Sequence, residues 1–275
     1  MYDFYYPYDG NSSSEDLEKY LIFVKRNLPR WVNSIPDSEF LALYSMANKF
    51  VNEGETIIET GSGASSLALL CAAINNNAVL YTWDTNGSKL EFINNVAFQT
   101  IGKILSVDIN KYWKTIAFDS TSKELGIGIL KEFNCNTSFA FLDSYHTLDH
   151  IMNEASLSVD SFIERATLVI DDAYYCNKSK NYAYINIFRK KLGLNVVIEP
   201  ESNKVEKYYE AIFNFLKTKY KVVQSIEEFQ DNYNADVYFD YFNLDRDAIN
   251  SVGMEKKDEL RNRYKIWTLK DKIVV

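Results

Sequence analysis

Two helical segments open the hydrophobic pattern of the chain. Apolar residues at helix spacing predict one helix over residues 14–28 and a second over residues 38–52. Five compact apolar runs follow, separated by stretches long enough for crossover helices. They are predicted strands at residues 56–59, 79–83, 115–118, 139–142 and 168–170. Strands that are apolar on both faces and alternate with helices indicate an α/β fold with a doubly wound, mostly parallel sheet, helices on both faces and an N-terminal helical extension.

The pattern is looser beyond Asn177. It predicts two further helices and three closing strands, at residues 182–192, 205–219, 220–223, 237–242 and 264–269. Residues 243–262 are highly charged and are interpreted as a surface helix or an insertion. Neither a linker nor a repeat divides the chain, so we expect one domain over residues 1–275: a helical cap (1–53), a sheet-forming core (54–177) and C-terminal helices and closing strands (178–275).

Composition narrows the class of protein. The chain has 275 residues, 47% of them hydrophobic, which is enough for a substantial core. Its three cysteines form no CxxC pair, and a net charge of −8 argues against binding a phosphate backbone. No apolar run approaches the roughly 18 to 20 residues of a membrane span, and residues 1–10 do not resemble a secretory signal. We expect a cytoplasmic protein with neither nucleic acid nor membrane as a partner; a homo-oligomer is compatible with the sequence.

A possible nucleotide site follows the first predicted strand. The run from Glu59 to Ser66 places an acid at a strand end, then a G-x-G turn, then a helix start whose N–H groups are expected to be free. Asp84, 25 residues after Glu59, ends the second predicted strand, and Asp119 ends the third. In an open α/β sheet these ends line one crevice, where Asp84 can accept ribose hydroxyls and Asp119 an adenine amino group. Each acid alone is equally compatible with an ordinary loop or cap, but together they favour a nucleoside site.

A second group of polar residues follows the last two strands of the core. Asp143, His146 and His150 come directly after one strand, and Asp171 and Asp172 follow the next. Three converging carboxylates stay ionised only if a cation or hydrogen-bond donors offset their repulsion. A hard divalent ion such as Mg²⁺ suits an all-oxygen ligand set. It is favoured over the alternative, in which Asp171 caps the following segment and Asp172 is solvated.

The run from Glu59 to Ser66, followed by Asp84 and Asp119, resembles the cofactor motifs of class I S-adenosylmethionine-dependent methyltransferases. The resemblance covers about residues 56–175 and implies a Rossmann-like fold that binds S-adenosylmethionine. It assigns the ribose to Asp84 and the adenine to Asp119 or Ser120, and it places Glu59 near the methionine amino group or its loop. The other residues that it implies for the cofactor are Gly61, Ser62, Gly63 and Ser65. Ser65 stands where the family often has a third glycine.

The acids resemble, more narrowly, those of metal-dependent catechol-type and sugar-type O-methyltransferases. Asp171 and Asp172 lie 28 and 29 residues after Asp143, and all three would be metal ligands. The pair departs from the Asp-Asn of catechol-type and the Glu-Asp of sugar-type enzymes. His146 would be the general base, with Asp143 beside it in catalysis, because an imidazole can accept a hydroxyl proton near neutral pH. We expect His150 to orient the loop or to cap the helix with Asp149.

The sequence therefore predicts divalent-metal-assisted O-methylation of a hydroxyl on a small molecule or sugar. Two alternatives stay open. One is an NAD(P)-dependent oxidoreductase of the same fold, although the missing third glycine weakens a pyrophosphate site. The other is a catalytically silent, methyltransferase-like binding protein.

Overall fold

The computed structural model describes residues 14–33, 35, 37–171, 186, 189–196, 208–226 and 265–273. Its helices are α1 (Ser14–Arg26), a 3₁₀ turn (Arg30–Val32), α2 (Asp37–Phe50), α3 (Ala64–Asn75), α4 (Gly87–Ala97) continued by a π-helical turn (Phe98–Gly102), α5 (Ile109–Tyr112), α6 (Ile129–Glu132), α7 (Leu148–Ser161) and α8 (Tyr208–Lys219). Its strands are β1 (Thr56–Thr60), β2 (Val79–Trp83), β3 (Trp113–Ile116), β4 (Thr137–Leu142), β5 (Phe162–Ile170), β6 (Tyr220–Ser225) and β7 (Lys265–Lys272).

The described strands form one sheet in the order β3-β2-β1-β4-β5-β7-β6. The first five strands in that order run parallel, and β7 is antiparallel to both β5 and β6. Across the sheet, the strands run back along the chain from β3 to β1 and then forward from β4 to β5. The topological switch point therefore lies between β1 and β4. In such a sheet the ligand crevice opens at the carboxyl ends of the strands beside that point.

The core has two parts because successive residues of each central strand point to opposite faces. Ile57 packs into one cluster with side chains of α1, α2 and α3, while Ile58 packs into the other with side chains of α7 and α8. Phe141 and Leu142 divide in the same way. Helices therefore cover both faces of the sheet, which confirms the predicted fold class.

The N-terminal helices are joined by a buried ion pair. Lys25 Nζ of α1 lies 2.9 Å from Asp37 Oδ1 of α2, and both side chains are fully buried. Arg26 Nε donates to the other carboxylate oxygen of Asp37 at 2.7 Å. Burial lowers the pKa of Lys25, and the charge of Asp37 opposes that shift. This cap packs on α3, the helix that follows the glycine loop.

The third predicted strand was wrong by two residues. It begins at Trp113 and ends at Ile116. The strand starts early because Asp108 caps the short helix α5 just before it. The indole of Trp113 then packs against β2 and donates to Thr82 Oγ1 at 2.8 Å. Phe118, predicted to end the strand, is exposed. The predicted elements at residues 237–242 and 243–262, and most of 182–192, lie outside the described residues. Within the described part of the chain, no helix has the length and apolarity of a membrane span.

Candidate cofactor-binding site

A cleft of about 410 Å³ opens at the carboxyl ends of β1 to β4. It lies at the switch point of the sheet, where the crevice was expected. Twelve residues line it: Gly61, Trp83, Asp84, Thr85, Lys89, Phe118, Asp119, Ser120, Asp143, Ser144, Tyr145 and His150. Four of the predicted cofactor residues are therefore at the cleft: Gly61, Asp84, Asp119 and Ser120.

The glycine loop has its N–H groups occupied within the chain. The amides of Gly61, Ser62 and Gly63 donate to Trp83 O (2.8 Å), Asp84 Oδ2 (2.9 Å) and Ser66 Oγ (3.1 Å). The expectation of free donors at the helix start was wrong at Gly63, the cap of α3, because Ser66 supplies an acceptor for its amide. The loop is thus a closed turn in which the N–H groups of these three residues are already satisfied.

Glu59 lies beneath the loop and not in the lining of the cleft. Its side chain is fully buried, and it accepts hydrogen bonds from Ser65 Oγ and Thr82 Oγ1, each at 2.7 Å. Burial raises the pKa of Glu59 to about 7, although these hydrogen bonds act in the opposite direction. The lining also lacks Ser62, Gly63 and Ser65. Each of them stabilises the loop through a hydrogen bond, to Asp84, Ser66 and Glu59 respectively.

Asp84 is the best-anchored acid of the cleft. Its Oδ2 accepts from both the amide and the hydroxyl of Ser62, at 2.9 and 2.7 Å, and its Oδ1 accepts from the amide of Asn86 at 2.8 Å. Lys89 Nζ lies 3.3 Å from Oδ2. Burial acts to raise the pKa of Asp84, but the hydrogen bonds from Asn86 and Ser62 and the charge of Lys89 outweigh it, so the pKa is lowered. Asp84 is an ionised acceptor at neutral pH.

Asp119 lies three residues beyond the end of β3, in an exposed loop and not at the strand end that the sequence predicted. Its Oδ1 accepts from the hydroxyl and the amide of Thr121, both at 2.7 Å, and these bonds lower its pKa. The neighbouring Ser120 is buried, although its edge reaches the cleft.

On the opposite side of Gly61, Asp143 lies beside two other predicted residues. His146 Nε2 is 3.3 Å from Asp143 Oδ1. Burial and the nearby charge of Asp171 raise the pKa of Asp143, and His146 partly offsets the rise. Asp171 is buried, and its amide donates to Leu142 O at 3.0 Å. The structure thus brings Asp143, His146 and Asp171 together.

The metal hypothesis has no complete ligand set in the described part of the chain. Across those residues no group of three or more His, Cys, Asp or Glu side chains is placed to hold a metal ion. Asp172, the third predicted ligand, lies outside the described residues. The raised pKa of Asp143 reflects its burial and the repulsion from Asp171, which is the repulsion that the sequence pattern had suggested a cation would offset.

The residues of the site that were not predicted from the sequence include Lys89, Ser144 and Glu154. Glu154 is fully buried in α7, where its Oε1 accepts from Ser120 Oγ at 2.5 Å and Ser144 Oγ at 2.6 Å. His150 Nε2 lies 3.3 Å from the same oxygen and 3.4 Å from Ser120 Oγ, so His150 is partnered by Glu154 and Ser120 and not by the exposed Asp149. The hydrogen bond to Glu154 raises the pKa of His150. Glu154 could have been found from the sequence, because it lies one helical turn after His150 on the apolar face of α7.

No family model matches the sequence, and no curated protein sequence matches it. Solved structures of similar fold include YcgJ from Bacillus subtilis, 11% identical, which covers 84% of this chain and 98% of that chain with a TM-score of 0.46. A Haemonchus contortus phosphoethanolamine N-methyltransferase, in complex with S-adenosylhomocysteine, is 13% identical over 94% of this chain and 58% of that chain, with a TM-score of 0.44.

A TDP-rhamnose 3′-O-methyltransferase of calicheamicin biosynthesis is 14% identical over 58% of this chain and 79% of that chain, with a TM-score of 0.40. Methyltransferases thus recur among structures of similar fold.

Proposed function

We propose that this chain is an S-adenosylmethionine-dependent methyltransferase. The observation that carries the proposal is the pairing of Asp84 with the glycine loop. The loop presents an ionised, well-anchored carboxylate to the cleft, while the N–H groups of Gly61, Ser62 and Gly63 are satisfied within the chain. A nucleoside with ribose hydroxyls but no diphosphate suits such a site, because a pyrophosphate requires free N–H groups at the loop and helix start.

The residues at the cleft fit the parts of such a cofactor. Asp84 would accept the ribose hydroxyls, since its ionised oxygens are strong acceptors that Ser62 holds in place. Asp119 and Ser120 would meet the adenine at the far side of the cleft. Glu59 would act indirectly, because its hydrogen bonds to Ser65 and Thr82 fix the base of the loop.

The acceptor would bind on the Asp143 side of Gly61. When bound, the cofactor supplies an electrophilic methyl group on a sulfonium. Methyl transfer then depends mainly on alignment and on the exclusion of water. His146 is absent from the lining of the cleft, and its Nε2 lies 3.3 Å from Oδ1 of Asp143, which does line it. The proton of an attacking hydroxyl would therefore reach His146 by way of Asp143. We therefore infer O-methylation of a hydroxyl on a small molecule or sugar.

Divalent-metal assistance by Mg²⁺ stays a prediction of the sequence. Its proposed ligands Asp143 and Asp171 lie together, but the third, Asp172, is outside the described residues. None of the steps above requires the ion.

The experiment that tests the function is transfer of a labelled methyl group from S-adenosylmethionine to a panel of vicinal diols, sugars and amines, with Mg²⁺ and with chelator. We expect transfer to a hydroxyl compound. In His146→Asn, kcat should fall by about 10²-fold or more, the usual contribution of a general base, while cofactor affinity stays unchanged. Binding of NADH in place of S-adenosylhomocysteine would instead support the oxidoreductase alternative.

A further inference from the structure

One buried carboxyl is in contact with both sides of the cleft. Glu154 is fully buried in α7, and its Oε1 lies 2.5 Å from Ser120 Oγ and 2.6 Å from Ser144 Oγ. His150 Nε2, in the first turn of α7, lies 3.3 Å from the same oxygen and 3.4 Å from Ser120 Oγ. These three partners line the cleft, whereas Glu154 is absent from the lining.

The two serines come from loops whose strands are not neighbours. β3 and β4 are separated in the sheet by β2 and β1, so they lie about 14 Å apart at the usual spacing between strands. The loop after β3 carries Asp119 and Ser120, and we call it the nucleoside wall. The loop after β4 carries Asp143, Ser144 and Tyr145, and we call it the acceptor wall. Glu154 is thus a point at which the two walls meet.

The contacts of Glu154 do not depend on its charge. A carboxyl group can accept hydrogen bonds from serine hydroxyls both when it is ionised and when it is protonated, because it keeps acceptor capacity in either form. Both serine bonds are made to the same oxygen, Oε1. The link between the two walls therefore requires an acceptor oxygen at this place, and not a particular protonation state.

The stability of the core does not explain a carboxyl at this position. The neighbours of Glu154 on the buried face of α7 include Ile151, Ala155 and Val159, among which an apolar side chain would pack without losing hydration. Within the described part of the chain, Oε2 of Glu154 has no hydrogen-bond partner. The arrangement of the loops, which the carboxyl fixes, explains its presence better than the energy of the core does.

We propose that Glu154 is a positioning residue that couples the two walls of the cleft, so that a nucleoside held at the nucleoside wall also orders the acceptor wall. The proposal rests on the function inferred above, since it takes the cleft to hold a nucleoside. It goes further in naming the residue through which a bound cofactor prepares the acceptor side. Because methyl transfer depends on alignment, this coupling would hold Asp143 in place when the cofactor is bound.

The test uses adenosine, which has the base and ribose of the cofactor but lacks the part that would reach toward the acceptor wall. Hydrogen–deuterium exchange is measured for the amides of residues 119–122 and 144–147, with and without saturating adenosine. In the unmodified chain we expect adenosine to slow exchange in both segments. In residues 144–147 the slowing should be about fivefold or more, the lower end of typical coupling between two sites.

Three variants separate coupling from a merely structural role. Glu154→Met removes the acceptor oxygen with little change of length, whereas Glu154→Gln keeps one. Asp149→Asn is a control at an exposed acid of the same helix. Glu154→Met should lose the slowing in residues 144–147 and keep it in residues 119–122. Glu154→Gln and Asp149→Asn should both behave as the unmodified chain does.

A folded Glu154→Met protein in which adenosine still slows exchange in residues 144–147 would overturn the proposal and leave the proposed function intact. Loss of the slowing in both segments would show general loosening and would also overturn it. If Glu154→Met does not fold, Ser144→Ala removes only the bond to the acceptor wall and should give the same selective loss; unchanged slowing there overturns the proposal. Failure of both adenosine and S-adenosylhomocysteine to bind the unmodified chain would contradict the proposed function, and this proposal with it.

Discussion

Gly61 and Asp143 touch in a way that no other residue at position 61 would permit. A β-carbon on Gly61 would lie 1.9 Å from the carbonyl oxygen of Asp143, and Gly61 has a φ of +78°. The amide of Asp143 also donates to Thr60 O at 3.0 Å. The loop after β1, which serves the cofactor side of the cleft, is therefore packed directly on the loop after β4, which serves the proposed acceptor side.

Substituting Gly61 by Ala should destabilise the fold and abolish cofactor binding. Gly54→Ala is a matched control, because Gly54 also has a positive φ (+76°) but a β-carbon added there would meet nothing within 4 Å. The control should cost only the backbone strain, about 1 to 2 kcal/mol. Gly61→Ala should cost clearly more in urea unfolding and should lose affinity for S-adenosylhomocysteine. Equal effects of the two substitutions would contradict the close contact.

Asp84→Ala should weaken S-adenosylhomocysteine binding by about 100-fold, since hydrogen bonds to a charged group contribute about 1.5 to 3 kcal/mol each. Asp108→Ala provides the comparison. Asp108 accepts the amide of Asn110 at 3.0 Å, as Asp84 accepts that of Asn86, but it does not line the cleft. Calorimetric titration should find the affinity unchanged in Asp108→Ala. A similar loss in both variants would mean that Asp84 acts only as a loop cap.

Glu59 should make the stability of the chain depend on pH. Its pKa is about 7 in the folded state against an ordinary value of 4.5, so the folded state holds the proton more tightly than the unfolded state. The stabilisation is complete below pH 4.5 and is lost as the pH rises through 7, by about 3 kcal/mol in total. Denaturant unfolding of the unmodified chain, relative to Glu59→Gln, should show this decline. Parallel pH profiles for the two proteins would rule the shift out.

The buried pair of Lys25 and Asp37 should respond differently to single and double substitution. Asp37→Ala leaves the buried ammonium of Lys25 without this carboxylate and should reduce the free energy of unfolding by about 3 to 5 kcal/mol. The double variant Lys25→Met, Asp37→Leu should regain most of that loss, because hydrophobic residues of similar volume replace a buried ion pair at little cost. A double variant as unstable as Asp37→Ala would contradict this expectation. It would show that other groups around the pair contribute to the lost free energy of unfolding.

Local pattern was sufficient for β1 and β2, whereas β5 begins at Phe162, six residues before its predicted start. The predicted β2 has the observed bounds, Val79–Trp83, and β1 differs by one residue at its end, because both strands are short, apolar and bounded by glycine or asparagine. β3 was misplaced because its start depends on the packing of Trp113 against Thr82, a contact between residues 31 positions apart.

In the site too, some residues could be predicted from the local sequence and others could not. Asp84 was identifiable, since it directly follows a clear strand. The contact of Glu154 with Ser120 was not, because Ser120 is 34 residues away and only the fold brings the two side chains together. The satisfied N–H groups of the glycine loop were also hidden, since their acceptors include Asp84, 22 residues beyond Ser62.

The most direct test of the central claim is calorimetric titration of the purified chain with S-adenosylhomocysteine, once with Mg²⁺ and once with chelator. We predict binding in both conditions, because the residues assigned to the cofactor, Asp84, Asp119 and Ser120, include none of the proposed metal ligands. Absence of binding in both conditions would contradict the assignment of the cleft to this cofactor.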